Sequence, residues 1–165
     1  MDMDWKTNMA ELGGAFMVSW MVLGEMGDGN MVMAGVLLAV TCAAMAGAHV
    51  LPMFTWISAM TGDLQDTDAW IGNLTRMVMQ MLGAGAALAM VGAGTVAAAE
   101  TAPEMWAFDM WPLLTMLAAG AIIGAVASRC DGWMTAFAVV ALAGALGAGL
   151  AGANDVAAEV MGSGA

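Results

Sequence analysis

The chain has 165 residues, 62% of them apolar and 10% charged, with a mean hydropathy of +0.83. Ordinary soluble domains run at roughly 45–50% apolar and about 25% charged, so the composition predicts a chain whose solvent is mostly lipid, with room for about five crossings at ~20 apolar residues each. Fourteen acidic residues against three basic ones give a formal charge of −11, which excludes a nucleic-acid partner and a polybasic hold on anionic lipid, both of which need clustered Lys and Arg.

The N-terminus, Met1-Asp2-Met3-Asp4-Trp5-Lys6, lacks the basic n-region of a signal peptide, so the first apolar block is expected to be kept as a span. Block one runs from Met9 to about Met26, interrupted by Glu11 and closed by Glu25 and Asp28; block two is Met31 to Ala48. A short stretch, His49 to Thr61, is too brief to cross a bilayer, and the polar loop 62–68 follows it. Block three spans Met77 to Ala99, with Gln80 and Thr95 polar. After the polar stretch Glu100 to Asp109 come block four, Trp111 to Ser128, block five, Trp133 to Ala153, and a tail from Asn154. In hydrocarbon every backbone group must be paired within its segment, which makes each long block a helix. The acids between blocks fit either a high-salt host with an acidic proteome or simple solvation of loops.

Trp70, Trp106, Trp111 and Trp133 lie near the predicted span ends, where indole rings suit an interface. Small residues recur at four-residue spacing, Gly120 with Gly124 and Ser128, and Gly144 with Ala148 and Gly152, and are expected to let helix backbones approach closely. With the N-terminus in the cytoplasm, Lys6, Arg76 and Arg129 all fall inside, which places His49–Asp68 inside, and Glu100–Asp109 and the C-terminal tail outside.

Pro52 reads as the first residue of a short helix to about Met60, ending near Gly62, because its missing N–H costs nothing there. A re-entrant half-helix, its N-terminal N–H groups pointing into the bundle, and a helix lying flat at the interface both suit this segment.

Gly47-Ala48-His49-Val50-Leu51-Pro52-Met53-Phe54-Thr55 resembles the first pore loop of the aquaporin and aquaglyceroporin family, with Gly47, Ala48, His49, Pro52 and Thr55 in register. Ala10 to Phe16 is similar to the family's first-span opening, with Glu11, Gly14 and Phe16 in place, and Gln80 to Ala84 resembles its third-span Gln-x-x-Gly-Ala. The resemblance implies an all-α membrane protein, an aquaporin-like helical bundle with about five full spans and one re-entrant half-helix. It implies one transmembrane domain over 1–165, with 9–99 as a first repeat and 100–165 as an incomplete second. The chain departs from the pattern where Leu51 replaces the pore asparagine, Met53 the following alanine and Ala157 the filter arginine. Asn154 stands either as a pore residue or in a frayed tail.

The pore and loop candidates are therefore His49, Leu51, Pro52, Met53 and Asn154, and the loop-anchoring candidates Glu11 and Gln80. The resemblance implies that Glu11 accepts hydrogen bonds from the loop backbone; read alone, it also suits a side chain snorkelling to the surface. His49 either lines a path or sits as a satisfied histidine in a tight turn. As the single histidine beside two separated cysteines, it leaves no metal or haem ligand set, so no metal, cofactor or enzymatic activity is expected. The 20 methionines are read as core filler. The expected function is a multi-pass cell-membrane channel for water or small neutral solutes, slow for water and favouring weakly polar or gaseous ones because Leu51 offers no polar guide. The alternative is a non-conducting membrane scaffold or partner subunit. The expected partners are the lipid bilayer, a small neutral solute or water, and further copies in a homo-oligomer.

Overall fold

Helix starts are set by local chemistry that the chain repeats. The computed structural model describes residues 4–22, 31–91 and 110–146, and its regular structure there is helical: α1 (Trp5–Met17), α2 (Met31–Ala44), α3 (Pro52–Thr61), α4 (Thr67–Val91), α5 (Met110–Arg129) and α6 (Gly132–Leu146). Asp4 caps α1: its Oδ1 accepts from the N–H groups of Lys6 at 3.1 Å and Thr7 at 3.2 Å, which satisfies donors that a helix start leaves unpaired. Asp66 does the same for α4, accepting from Asp68 and Ala69 at 3.0 and 3.1 Å. α3 has no side-chain cap and relies on Pro52 in its first turn. A π-helical turn, Val18–Val22, continues α1.

α1 packs along α4 and α2 along α6, while α3 lies on α4 and α5 on α6; the π turn bridges α2 and α4. The core between them gathers Val18, Ala34, Leu38, Val50, Leu51, Ile123, Ala136, Val139 and Val140. α1 and α4 come into backbone contact at Gly83, where an added Cβ would fall on the Leu12 carbonyl oxygen. The predicted small-residue contact on α5 is not made: a Cβ at Gly120 would meet nothing, and one at Gly124 only the end of Ile57 at 3.9 Å. The second predicted stripe starts at Gly144 near the end of α6, and its other members, Ala148 and Gly152, lie outside the described residues. A T-shaped contact between Trp56 and Trp70, centroids 6.4 Å apart, closes the corner between α3 and α4, and the Trp70 indole donates to the Leu64 carbonyl at 3.1 Å.

The expectation of five membrane spans is corrected. Among the described residues no helix is long and apolar enough to cross a membrane. The reading of a multi-pass cell-membrane protein falls with it, as do the transmembrane and channel descriptions and the assignment of loops to two sides. One physical reason lies within the described residues, where an apolar run outlasts its helix. α2 has 14 residues and α6 has 15 described ones, about 21–23 Å at 1.5 Å per residue against a hydrocarbon thickness of about 30 Å, and the 13 residues of α1 give way to a π turn at Val18. Block two stops being helical at Ala44, where a turn over 45–47 ends it. α4 is longer, at 25 residues, yet begins ten residues before the apolar block and carries Asp68, Asn73, Thr75, Arg76 and Gln80. α5 has 20 residues and ends on Ser128 and Arg129.

Candidate functional site

Two helix faces and one turn meet at a buried polar cluster. On α1, Asn8, Glu11, Gly14 and Ala15 are buried at helical spacing. On α4, Arg76 and Gln80 lie four residues apart, and so on one face. Between them runs the connection from α2 to α3, where Gly47 has φ +92° and Val50 φ +64°. The Leu51 N–H reaches back to the His49 carbonyl at 2.7 Å, closing a three-residue turn around Val50. With φ positive at its centre this is the strained form of the γ-turn, and for a β-branched residue the left-handed region is a true outlier.

Glu11 holds that turn. Its Oε1 accepts from the His49 N–H at 2.7 Å and its Oε2 from the Val50 N–H at 2.8 Å. Oε2 also accepts from Gln80 Nε2 at 2.7 Å, and Arg76 Nη1 stands 3.7 Å from Oε1. Glu11 is 0% exposed while Arg76 is 28% exposed, so the cation reaches the carboxylate from the wet side. Removing a carboxylate from water costs several kcal/mol; three short donors and a cation offset that cost, and charge-assisted bonds are about twice as strong as neutral ones. The Val50 side chain, 1% exposed, packs on α1, where a Cβ at Gly14 would come within 2.8 Å of its Cγ2.

Thr55, in the first turns of α3, joins the cluster: its hydroxyl oxygen accepts from Gln80 Nε2 at 3.0 Å and stands 3.1 Å from His49 Nδ1. Arg76 Nη1 lies 3.2 Å from His49 Nε2 and 3.4 Å from Nδ1. Standing nearly equidistant from both ring nitrogens, the Arg76 nitrogen lies against the face of the ring and not on the lone pair of one nitrogen, while the Thr55 hydroxyl is the closer partner of Nδ1. Burial, then the neighbouring Arg76 charge, push the His49 pKa below its ordinary 6.5, against a smaller opposing pull from Glu11. The neutral ring is the form this geometry accommodates. Gln80 Oε1 is buried without a hydrogen-bond partner. Turning the amide over would set that oxygen against the Glu11 carboxylate, so the orphan is imposed by Glu11.

Chemically the cluster fixes a conformation. Its acceptor, cation and imidazole are engaged with one another, and among the described residues no group of three or more His, Cys, Asp or Glu side chains could hold a metal ion. Burial pushes the Cys42 thiol up from its ordinary value, which keeps it protonated. An apolar groove of about 310 Å³ between α5 and α6, lined by Leu114, Thr115, Ala118, Ala119, Ile122 and Leu142 among others, shares no residue with the cluster.

No protein-family model, curated protein or solved structure matches this chain.

Of the residues singled out in the sequence, Glu11, His49 and Gln80 come together in the cluster, and Pro52 starts α3 just beyond it. Leu51 is buried in the core and Met53 packs half-buried against it. Asn154 lies outside the described residues. Arg76, which the sequence offers only as a basic residue, and Thr55, which it offers only within a motif, are full members. The four-residue step from Arg76 to Gln80 is the signal that pairs them. The left-handed Val50 has no such signal, since its residue type argues against that conformation.

Proposed function

We propose that the chain is a non-catalytic scaffold subunit that assembles with further copies of itself through apolar helix faces. The observation that supports this reading is the outer face of α4. Ile71, Leu74, Val78 and Leu82 are all exposed, and their steps of three, four and four residues align them in one stripe on the side opposite Arg76 and Gln80. α2 carries a second stripe, with Val32 67%, Val36 42% and Val40 60% exposed, and holds no ionisable side chain except Cys42. Continuous apolar surface of this kind marks an interaction site. The described acids Asp63, Asp66, Asp68 and Asp131 are exposed in the connections and helix ends, so in a chain of charge −11 the flanks are where copies approach with least repulsion. Two like apolar stripes also suit a closed, self-complementary contact. The polar cluster supports this role by locking α1, α3 and α4 into one rigid unit behind the stripe.

The test is the molar mass of the purified chain by light scattering, with Val36→Lys and Val78→Lys measured beside it. Oligomers in the unmodified chain, reduced by either substitution, are the expected result. A monomer across the concentration range, or partition into lipid vesicles in place of self-association, overturns the reading.

A further inference from the structure

We infer that His49 is a pH-sensitive latch on the turn that joins α2 to α3. The ring sits half-buried with Arg76 Nη1 3.2 Å from Nε2, and the other ring nitrogen is engaged with Thr55 at 3.1 Å. Nη1 is also 3.4 Å from Nδ1, so the guanidinium lies against the ring itself. Protonation of the ring therefore sets two cations against each other. Among the described residues the charged groups around the ring are few. α1 presents Glu11, α4 presents Arg76, and α3 presents the neutral Thr55; Asp4, fully exposed at the start of α1, acts only on Arg76 from farther out.

Glu11 favours the protonated ring, but its oxygens already accept from three short donors, and burial and Arg76 together outweigh it. Arg76 is the mobile member, since it alone of the cluster's charged pair reaches solvent. Its departure on acidification takes away the cation that shares Glu11 Oε1 with the His49 N–H. What then remains to hold Val50 in its left-handed turn is a carboxylate that has lost Arg76 and is drawn instead toward the charged ring of His49. The strained γ-turn relaxes, and the start of α3 is released with it.

The chain has one histidine, so its ring resonance is unambiguous in a titration, and the amides of His49 and Val50 report the turn directly. Their hydrogen-exchange protection, corrected for intrinsic rates, is expected to fall about tenfold between about pH 7.5 and about pH 5. In His49→Gln the fall should vanish. In Arg76→Met the ring midpoint should move up and the fall in protection of the His49 and Val50 amides should move with it, a link that a purely structural histidine would not show; this second measurement stands if His49→Gln does not fold. Equal protection at both pH values in the unmodified chain, persistence of the fall in His49→Gln, or an unchanged midpoint in Arg76→Met overturns the inference.

Discussion

The Glu11 carboxylate holds the Val50 backbone N–H at 2.8 Å across a separation of 39 residues, and Val50 is the residue with φ +64°. A conformation costing of order 1–3 kcal/mol is thus kept in place by a side chain from another helix. The turn and α1 stabilise each other, since without Val50 the buried carboxylate would lack one of its donors.

Glu11→Gln should therefore cost about 3 kcal/mol, because an amide offers one acceptor oxygen where two are used and leaves Arg76 without its counter-charge. Urea denaturation, with unchanged m-value, measures the loss. A change below about 0.5 kcal/mol, the size of an ordinary surface substitution, would show that the turn holds its shape without the carboxylate.

Gly14→Ala tests the packing of Val50. In an unobstructed helix interior this change gains about 1 kcal/mol, but here the new methyl meets Val50 Cγ2 at 2.8 Å, and overpacking costs about 1–3 kcal/mol. The sign of the change, read from denaturation midpoints, is the result. In a Val50→Ala background the penalty should shrink or reverse, giving a double-mutant coupling of about 1 kcal/mol.

Gly83 and Gly85 form a matched pair on α4. A Cβ at Gly83 falls on the Leu12 carbonyl oxygen, and backbone cannot step aside, whereas one at Gly85 meets nothing within 4 Å. Gly83→Ala should lower stability by about 3 kcal/mol, at the upper end of the overpacking range, and Gly85→Ala raise it by about 0.5–1 kcal/mol. Thermal unfolding of the two variants side by side distinguishes them.

Stability should also follow pH in one direction. The folded pKa of His49 lies below the ordinary 6.5, so below that value the unfolded chain binds more protons than the folded one and stability declines as pH falls, levelling off once the folded pKa is passed. Above 6.5 the group contributes no slope. Denaturation midpoints in His49→Gln should lose this part of the slope.

Much of the cluster is legible in the sequence because polar residues inside apolar runs are conspicuous. Glu11 and Gln80 interrupt blocks one and three, and Pro52 announces α3 at the residue where it begins. The extent of the helices is not legible. Hydropathy counts glycine, alanine and methionine as continuous apolar chain, yet it is blind to the turn over 45–47 and to α4 starting among Thr67, Asp68 and Asn73. The capping Asp66, immediately before Thr67, is the better guide to that start. Arg76 is hard to place for a related reason: its charge is visible in one dimension, but its partners at positions 11 and 49 appear only once α1 and α4 cross.

The partners of Glu11 are spaced 38, 39 and 69 positions along the chain, and that spacing imposes an order on biosynthesis. When α1 leaves the ribosome, its carboxylate has no donor to meet. At about 5–20 residues per second, roughly 3 to 14 s separate the polymerisation of Glu11 from that of Gln80, and until then the carboxylate lacks the last of its donors. The nascent N-terminal half therefore has to wait in a loose, hydrated state, and α4 acts as the keystone whose arrival lets the earlier helices close.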